Sequence, residues 1–171
     1  METWDAITAR RNVRSYTDRP IPPADLDRIL EAARRAPSGG NRQRWDFVVV
    51  TDRAQLQELS TVWRAAGHVA TSAATIALVA PVAEDPRDRE GIQYDLGQAT
   101  AQTMISAADL GVGSGHAAVS EQDLARRILG LPGDRFCAWL IALGYPADRP
   151  LKPMVRPNRR PFEEVVHRGR W

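Results

Sequence analysis

The sequence predicts a mixed fold, α+β or α/β. Three observations carry that expectation. Apolar runs at residues 45–50, 74–80 and 136–143 have the length and the β-branched or aromatic character of strands. The segments between them place apolar residues three and four apart, which is the helical period. The chain has 171 residues, 43% of them hydrophobic, and no internal repeat. That is enough to enclose a core in a single domain spanning residues 1–171.

The elements follow in order. Residues 3–11 read as a first helix with Thr3 as its N-cap, Trp4 and Ile7 sharing a face and Thr8 beside them. It should end near Asn12, which leaves three arginines at its C-terminal edge, where cations suit the helix dipole. Residues 15–21 are polar, contain Pro20 and read as a loop. Pro22-Pro23-Ala24-Asp25 opens a second helix, with Leu26, Ile29, Leu30 and Ala33 on one side and Pro37 as its stop. Residues 37–43 form a loop whose paired glycines permit positive φ and close approach of a ligand. After the strand at 45–50, residues 52–66 read as a third helix carrying Leu56, Leu59, Val62 and Trp63.

Residues 74–80 read as a buried strand and 82–91 as a short charged loop. Residues 92–110 form a long helix rich in Ala, Gln and Thr, suited to close packing in the core or at a subunit interface, and Gly111 ends it. The stretch Gly113-Ser114-Gly115-His116-Ala117-Ala118 is turn-like. It is not a dinucleotide fingerprint, since it follows a helix and lacks the third glycine. His116 is open between a ligand contact and a core histidine. Residues 121–129 read as a helix with Ser120 as N-cap, and Gly144-Tyr145-Pro146 breaks the strand at 136–143. From residue 147 to 171 the periodicity is lost. Prolines at 150, 153, 157 and 161 hold this arm extended, yet it keeps Met154, Val155, Phe162, Val165, Val166 and Trp171. An extended apolar arm needs a surface, most economically a second subunit.

Charge excludes more than it indicates. The net charge is +2, and 22 of the 23 basic residues are Arg, so position matters more than number. Acidic residues are interleaved throughout and no aromatic-lined basic stripe occurs, which argues against nucleic acid as a partner. Cys137 stands alone in an apolar run, and the three histidines are scattered, so no disulfide or metal site is indicated. No stretch approaches a membrane span or a secretory leader, and a cytoplasmic location is expected. The clusters that do stand out are Arg10-Arg11-Asn12-Val13-Arg14 and, near the other end, Arg159-Arg160. Guanidinium groups make paired hydrogen bonds to phosphate oxygens, so a phosphate-bearing ligand would explain their grouping.

Four pieces in order resemble the FMN-dependent nitroreductase family over almost the whole chain. They are Arg10-Arg11-Asn12-Val13-Arg14-Ser15-Tyr16; Ala36-Pro37-Ser38-Gly39-Gly40-Asn41-Arg42-Gln43-Arg44-Trp45; the helix and turn from Asp95-Leu96-Gly97 to Gly111-Val112-Gly113-Ser114; and Leu140-Ile141-Ala142-Leu143-Gly144-Tyr145-Pro146 followed by Arg159-Arg160-Pro161-Phe162-Glu163-Glu164. The resemblance implies an α+β three-layer sandwich with a mostly antiparallel central sheet, in a homodimer whose C-terminal arms, residues 147–171, are exchanged. It implies FMN bound at the subunit interface. Arg10, Arg11, Asn12 and Arg14 would line the phosphate and pyrimidine side, and Arg159 and Arg160 would complete the phosphate site. Pro37, Ser38, Gly39 and Asn41 would come from the other subunit, and a loop of Gly115, His116, Ala117 and Ala118 would approach the ring.

The implied activity is hydride transfer from NADH or NADPH to a small nitro, quinone or similar acceptor. The chemistry is carried by the flavin, and Arg14 would act electrostatically on its reduced form, with no catalytic side chain and no metal. A flavin-sequestering protein without turnover, or a relative performing dehalogenation or flavin fragmentation, are the alternatives. Two departures stand out. Gln43-Arg44-Trp45 replaces the family's Gln-Pro-Trp, which should loosen the turn and add a cation near the site. Only residues 82–91 remain where many members carry a lid, so the substrate face should be open.

Overall fold

The computed structural model describes residues 1–171. The elements are α1 (Thr3–Ala9), α2 (Pro23–Arg34), β1 (Asp46–Val50), α3 (Arg53–Leu59), β2 (Ala74–Pro81), α4 (Pro86–Asp109), β3 (Gly113–Ala118), α5 (Gln122–Leu129), β4 (Arg135–Gly144) and α6 (Phe162–Val165). Single 3-10 turns lie at Gly39–Asn41 and Gly67–Thr71. The four strands form one antiparallel sheet in the order β1-β2-β4-β3.

Side-chain alternation on the strands builds two cores. Ile76, Leu78 and Ala80 of β2, with Ile141 and Leu143 of β4, pack against Ile29 of α2 and Ile92, Leu96, Ala99 and Met104 of α4. Ala77 and Val79, with Leu140 and Ala142, pack on the other side against Leu56 and Leu59 of α3 and Ala125 of α5. The result is the expected helix–sheet–helix sandwich. β4 carries one irregularity. Trp139 pairs with Leu78 and Cys137 with Val79, so Ala138 is an extra residue, a β-bulge. No helix is long and apolar enough to cross a membrane.

Several boundaries differ from the sequence expectation, each for a local reason. α1 starts at Thr3, so Glu2 is its N-cap, without a side-chain bond, and it ends at Ala9. The third helix stops at Leu59. The Ser60 and Thr61 hydroxyls donate back to Gln57 O and Glu58 O, both at 2.7 Å, and Val62 O accepts from the amides of Ser120 and Glu121. Hydroxyl back-bonding competes with helix propagation, and the Val62 carbonyl is committed to the start of α5. Ser120 therefore serves that junction, and α5 begins after Glu121 without a side-chain cap.

α4 begins at Pro86, inside the segment expected to be loop. The Asp85 carboxylate accepts from the amides of Arg87 and Asp88 at 2.8 and 3.2 Å, and proline fits the first helical position. The stretch 113–118 is a strand rather than a loop. Its glycines are there because residues 12–14 lie against it: a Cβ on Gly115 would come within 2.3 Å of Val13 O. The arm is extended as expected except for the short α6.

Candidate functional site

The site starts from the Arg-rich segment. Asn12 bridges Ser114 in parallel register, and Val13 N donates to Ser114 O at 2.9 Å, so this segment runs as an added edge to β3. Extended backbone alternates its side chains. Val13 is buried in the core, which turns Asn12 to the α4 side of the sheet, and Arg10 and Asn12 both line the cavity there. Tyr16 locks the segment from below: its hydroxyl donates to Val13 O at 2.7 Å and lies 3.2 Å from Ala142 O. Burial pushes its phenol pKa up.

A cleft of about 630 Å³ opens between this edge, the sheet and α4. Arg10 and Asn12 stand at one side. His116 of β3 and Trp139 of β4 form the sheet wall. Gln93, Gly97, Thr100, Ala101, Met104 and Ile105 form the helix wall. Their spacing of three and four residues puts them on one stripe of α4. The volume lies in the range of small-molecule and cofactor pockets.

The electrostatics are positive. Burial lowers the His116 pKa, and the charges of Arg14 and Arg10 lower it further, so a neutral imidazole faces the cleft. His68, behind β3, is also held low, first by burial. Its Nε2 is 3.3 Å from Gly115 O, and its Nδ1 is buried without a partner.

The predicted site residues separate into groups. Arg10, Asn12 and His116 line the cleft, and Arg14 is exposed close enough for its charge to act on His116. Arg11 does not join them. Its Nη2 donates to Asp148 Oδ1 and Arg149 O, both at 2.7 Å, because alternation points it away from the α4 side. Gly115 is turned toward Val13, and Ala117 is buried in the core on the α3 side. Ala118 pairs with Trp139 in register.

Pro37, Ser38, Gly39 and Asn41 do not line the cleft of their own chain. Gly39 N donates to Asp95 Oδ1 at 3.0 Å, Gln98 Nε2 donates to Pro37 O at 3.2 Å, and Ser38 Oγ accepts from Gln43 N at 3.0 Å. Asp95 follows Gln93 by two residues and so points roughly 200° around the helix from it. Arg159 and Arg160 lie exposed in the arm. Arg159 Nη1 donates to Asn158 O, and Arg160 is paired with Glu164.

The Arg44 departure resolves differently from the expectation of a loosened turn. Arg44 Nη1 donates to Asp88 Oδ1 at 2.7 Å, Arg42 reaches the same oxygen at 3.3 Å, and Arg44 lies across Gly91, where a Cβ would meet it at 2.9 Å. The ion pair ties the turn to α4. Within the turn, Gly40 takes a φ of 59°, open to glycine, whereas Asn41 and Gln43 carry positive φ of 54° and 49°, and Gln43 N donates to Ser38 Oγ across it.

Sequence reasoning missed the helix wall and Trp139. The spacing of Gln93, Gly97, Thr100 and Ala101 along a helix could have revealed the wall. Trp139 had no such signal, because the bulge that aims it is not written in the residue pattern.

The fold is a helix–sheet–helix sandwich with an arginine-flanked cleft of cofactor size between sheet and helix. The comparisons give that fold its family. The profile of the nitroreductase family matches residues 7–80. A protein of Archaeoglobus fulgidus, provisionally named an NADH dehydrogenase/NAD(P)H nitroreductase, is 31% identical over 174 residues, covering 99% of both chains. The FMN reductase [NAD(P)H] of Bacillus subtilis is 27% identical, over 97% of this chain and 73% of its own. In fold, an FMN-dependent nitroreductase from Clostridium difficile superposes with a TM-score of 0.84 at 22% identity, covering 97% of this chain and 99% of that one. The chain belongs to the nitroreductase family of oxidoreductases.

Proposed function

We propose that this enzyme binds FMN in the cleft and uses it to pass a hydride from NADH or NADPH to a small nitro, quinone or similar acceptor. The observation that carries the reading is the alternation of residues 10–14, which delivers Arg10 and Asn12 to a cleft of cofactor size beside a neutral His116. The residues fit the group: guanidinium for the phosphate, a neutral amide for the pyrimidine edge, and a partly apolar wall for the ring.

When bound, FMN supplies the hydride transfer in both directions. The chain's residues do the rest. Arg10 would anchor the phosphate. Arg14 would stabilise negative charge on the reduced pyrimidine edge. His116, kept neutral by burial and by both arginines, adds no competing charge.

The second subunit belongs to the same proposal. Arg159, Arg160 and residues 37–41 lie outside the cleft of their own chain, so the other copy would bring them to it. Two features support that. Val155, Phe162, Val165 and Trp171 are exposed on the arm, and the outer edge of β1 has no neighbouring strand. Such surfaces are covered in stable proteins. Reconstitution with FMN, release by heat and chromatography, together with light scattering of the full chain and of a chain ending at Pro146, tests the reading. The expected results are recovered FMN from a full-length dimer and loss of both from the shortened chain. A full-length monomer that retains FMN would overturn the dimer, and a protein that takes up no FMN would overturn the whole.

A further inference from the structure

β4 is a central strand, flanked by β2 and β3, and its side chains should be buried. Trp139 is instead 36% exposed, the most open position of the strand. The cause is the extra residue Ala138. Cys137 belongs to the core on the α3 side, as do Leu140 and Ala142, whereas Ile141 and Leu143 face α4. Strict alternation from Cys137 would bury Trp139 on the α3 side. The bulge resets the alternation and turns the indole into the cleft, opposite Leu78. Bulges recur beside functional sites because they re-aim a side chain in this way. A large aromatic left open on a central strand is a surface made to be covered.

The indole is held there by two neighbours. His116 meets it edge-on, with ring centroids 6.1 Å apart and planes at 76°. Trp139 Nε1 donates to Gln93 Oε1 at 3.3 Å. An indole nitrogen only donates, so the amide atom facing it must be the oxygen. Gln93 Nε2 is thereby left as a free donor on the cleft side of α4, with no hydrogen bond within the chain. Trp139 is thus a flat apolar shelf that also orients an N–H donor beside it.

We infer that Trp139 and Gln93 form a ring-binding subsite that takes a planar conjugated ring carrying a hydrogen-bond acceptor at its edge. Resting on the flavin reading above, that ring is the isoalloxazine, whose carbonyl and ring-nitrogen edge supplies the acceptor. Trp139 is then a cofactor-contacting residue, and Gln93 reads the edge of the ring. The two act together, because removal of the indole also frees the amide to turn.

FMN titration of the apo-protein, followed by tryptophan emission, tests the subsite. In the wild type, binding should quench the indole emission. In Trp139→Phe most of the quench should disappear while FMN still binds, and Trp63→Phe, whose ring packs against the core on the α3 side, should keep it. Trp139→Leu should raise the Kd roughly tenfold through the lost stack. Gln93→Glu can still accept from the indole but cannot donate to the ring, so it should weaken FMN several-fold without unfolding the chain. Equal quenching in wild type and Trp139→Phe, or wild-type affinity in Gln93→Glu, overturns the subsite while leaving the flavin reading intact. A wild-type protein that takes up no FMN overturns the flavin reading itself.

Discussion

Replacing Gly115 by alanine tests how the fold delivers the Arg-rich segment to the cleft. A Cβ there would sit 2.3 Å from Val13 O, 3.1 Å from the Tyr16 hydroxyl and 3.2 Å from His68 Cδ2. Carbon–oxygen contacts settle at roughly 3.3–3.6 Å, so residues 12–14 must move off β3 by about 1 Å. Two bonds are then stretched, Val13 N to Ser114 O at 2.9 Å and Tyr16 to Val13 O at 2.7 Å. Each buried bond contributes about 0.5–1.5 kcal/mol net, and overpacking a rigid site costs about 1–3 kcal/mol. These terms overlap, so the expected destabilisation is about 2–4 kcal/mol, a large share of a typical domain's ~5–15 kcal/mol.

Urea unfolding of the two proteins measures the difference. Gly133→Ala is the control, since nothing lies within 4 Å of its would-be Cβ, and it should change stability by less than about 0.5 kcal/mol. FMN affinity should fall in Gly115→Ala as well, because Asn12 and Arg14 ride on the displaced segment. A loss below about 1 kcal/mol with unchanged FMN affinity would show that residues 12–14 are not held where the register puts them.

Two further predictions concern charge. Arg10→Ala and Arg14→Ala should each weaken FMN by a charge-assisted contact, about 1.5–3 kcal/mol, whereas Arg11→Ala should leave FMN affinity unchanged and disturb only the root of the arm at Asp148. Isothermal titration measures all three, and an equal loss at Arg11 would contradict the alternation argument. Stability should also fall with acidity. His68 and His116 are both held below the ordinary histidine value, while in the unfolded chain they titrate near ~6.5, so below that pH the unfolded state binds more protons. Urea midpoints should therefore drop between about pH 7.5 and 5.5, and His68→Gln should flatten the drop; an unchanged slope would contradict the buried neutral imidazole.

The fold is largely legible because strand-length apolar runs and helical stripes are strong, and three of the four strands, β1, β2 and β4, fall within a residue or two of their apolar runs. The failures are local. Residues 113–118 read as a turn because glycines signal turns, whereas here they admit a neighbouring backbone. The start of α4 is hidden because Asp85-Pro86 lies in a short charged stretch that reads as loop, although a carboxylate followed by proline is also a cap and a first turn. The third helix reads too long because Val62 and Trp63 keep the apolar period after the hydroxyls of Ser60 and Thr61 have ended the helix. At the cleft, the Arg-rich cluster of residues 10–14 is visible in the sequence and the family resemblance points to it, but separating Arg11 from Arg10 and Asn12 requires knowing that the segment is extended. Trp139 depends on a bulge, and a bulge is decided by how two strands pair rather than by either strand alone. The role proposed for residues 37–41 and for the arm rests on a second subunit, whose contacts one sequence does not specify.

If the cleft holds FMN as proposed, the bound flavin must accept a hydride from a nicotinamide donor. Anaerobic titration of the FMN-loaded protein with NADH and with NADPH, watched by visible absorbance, reads that transfer out. At least one nicotinamide should bleach the flavin band stoichiometrically, and a nitroaromatic or quinone added afterwards should restore it. An intact yellow protein that neither nicotinamide bleaches would contradict the oxidoreductase reading and leave a protein that only stores the flavin.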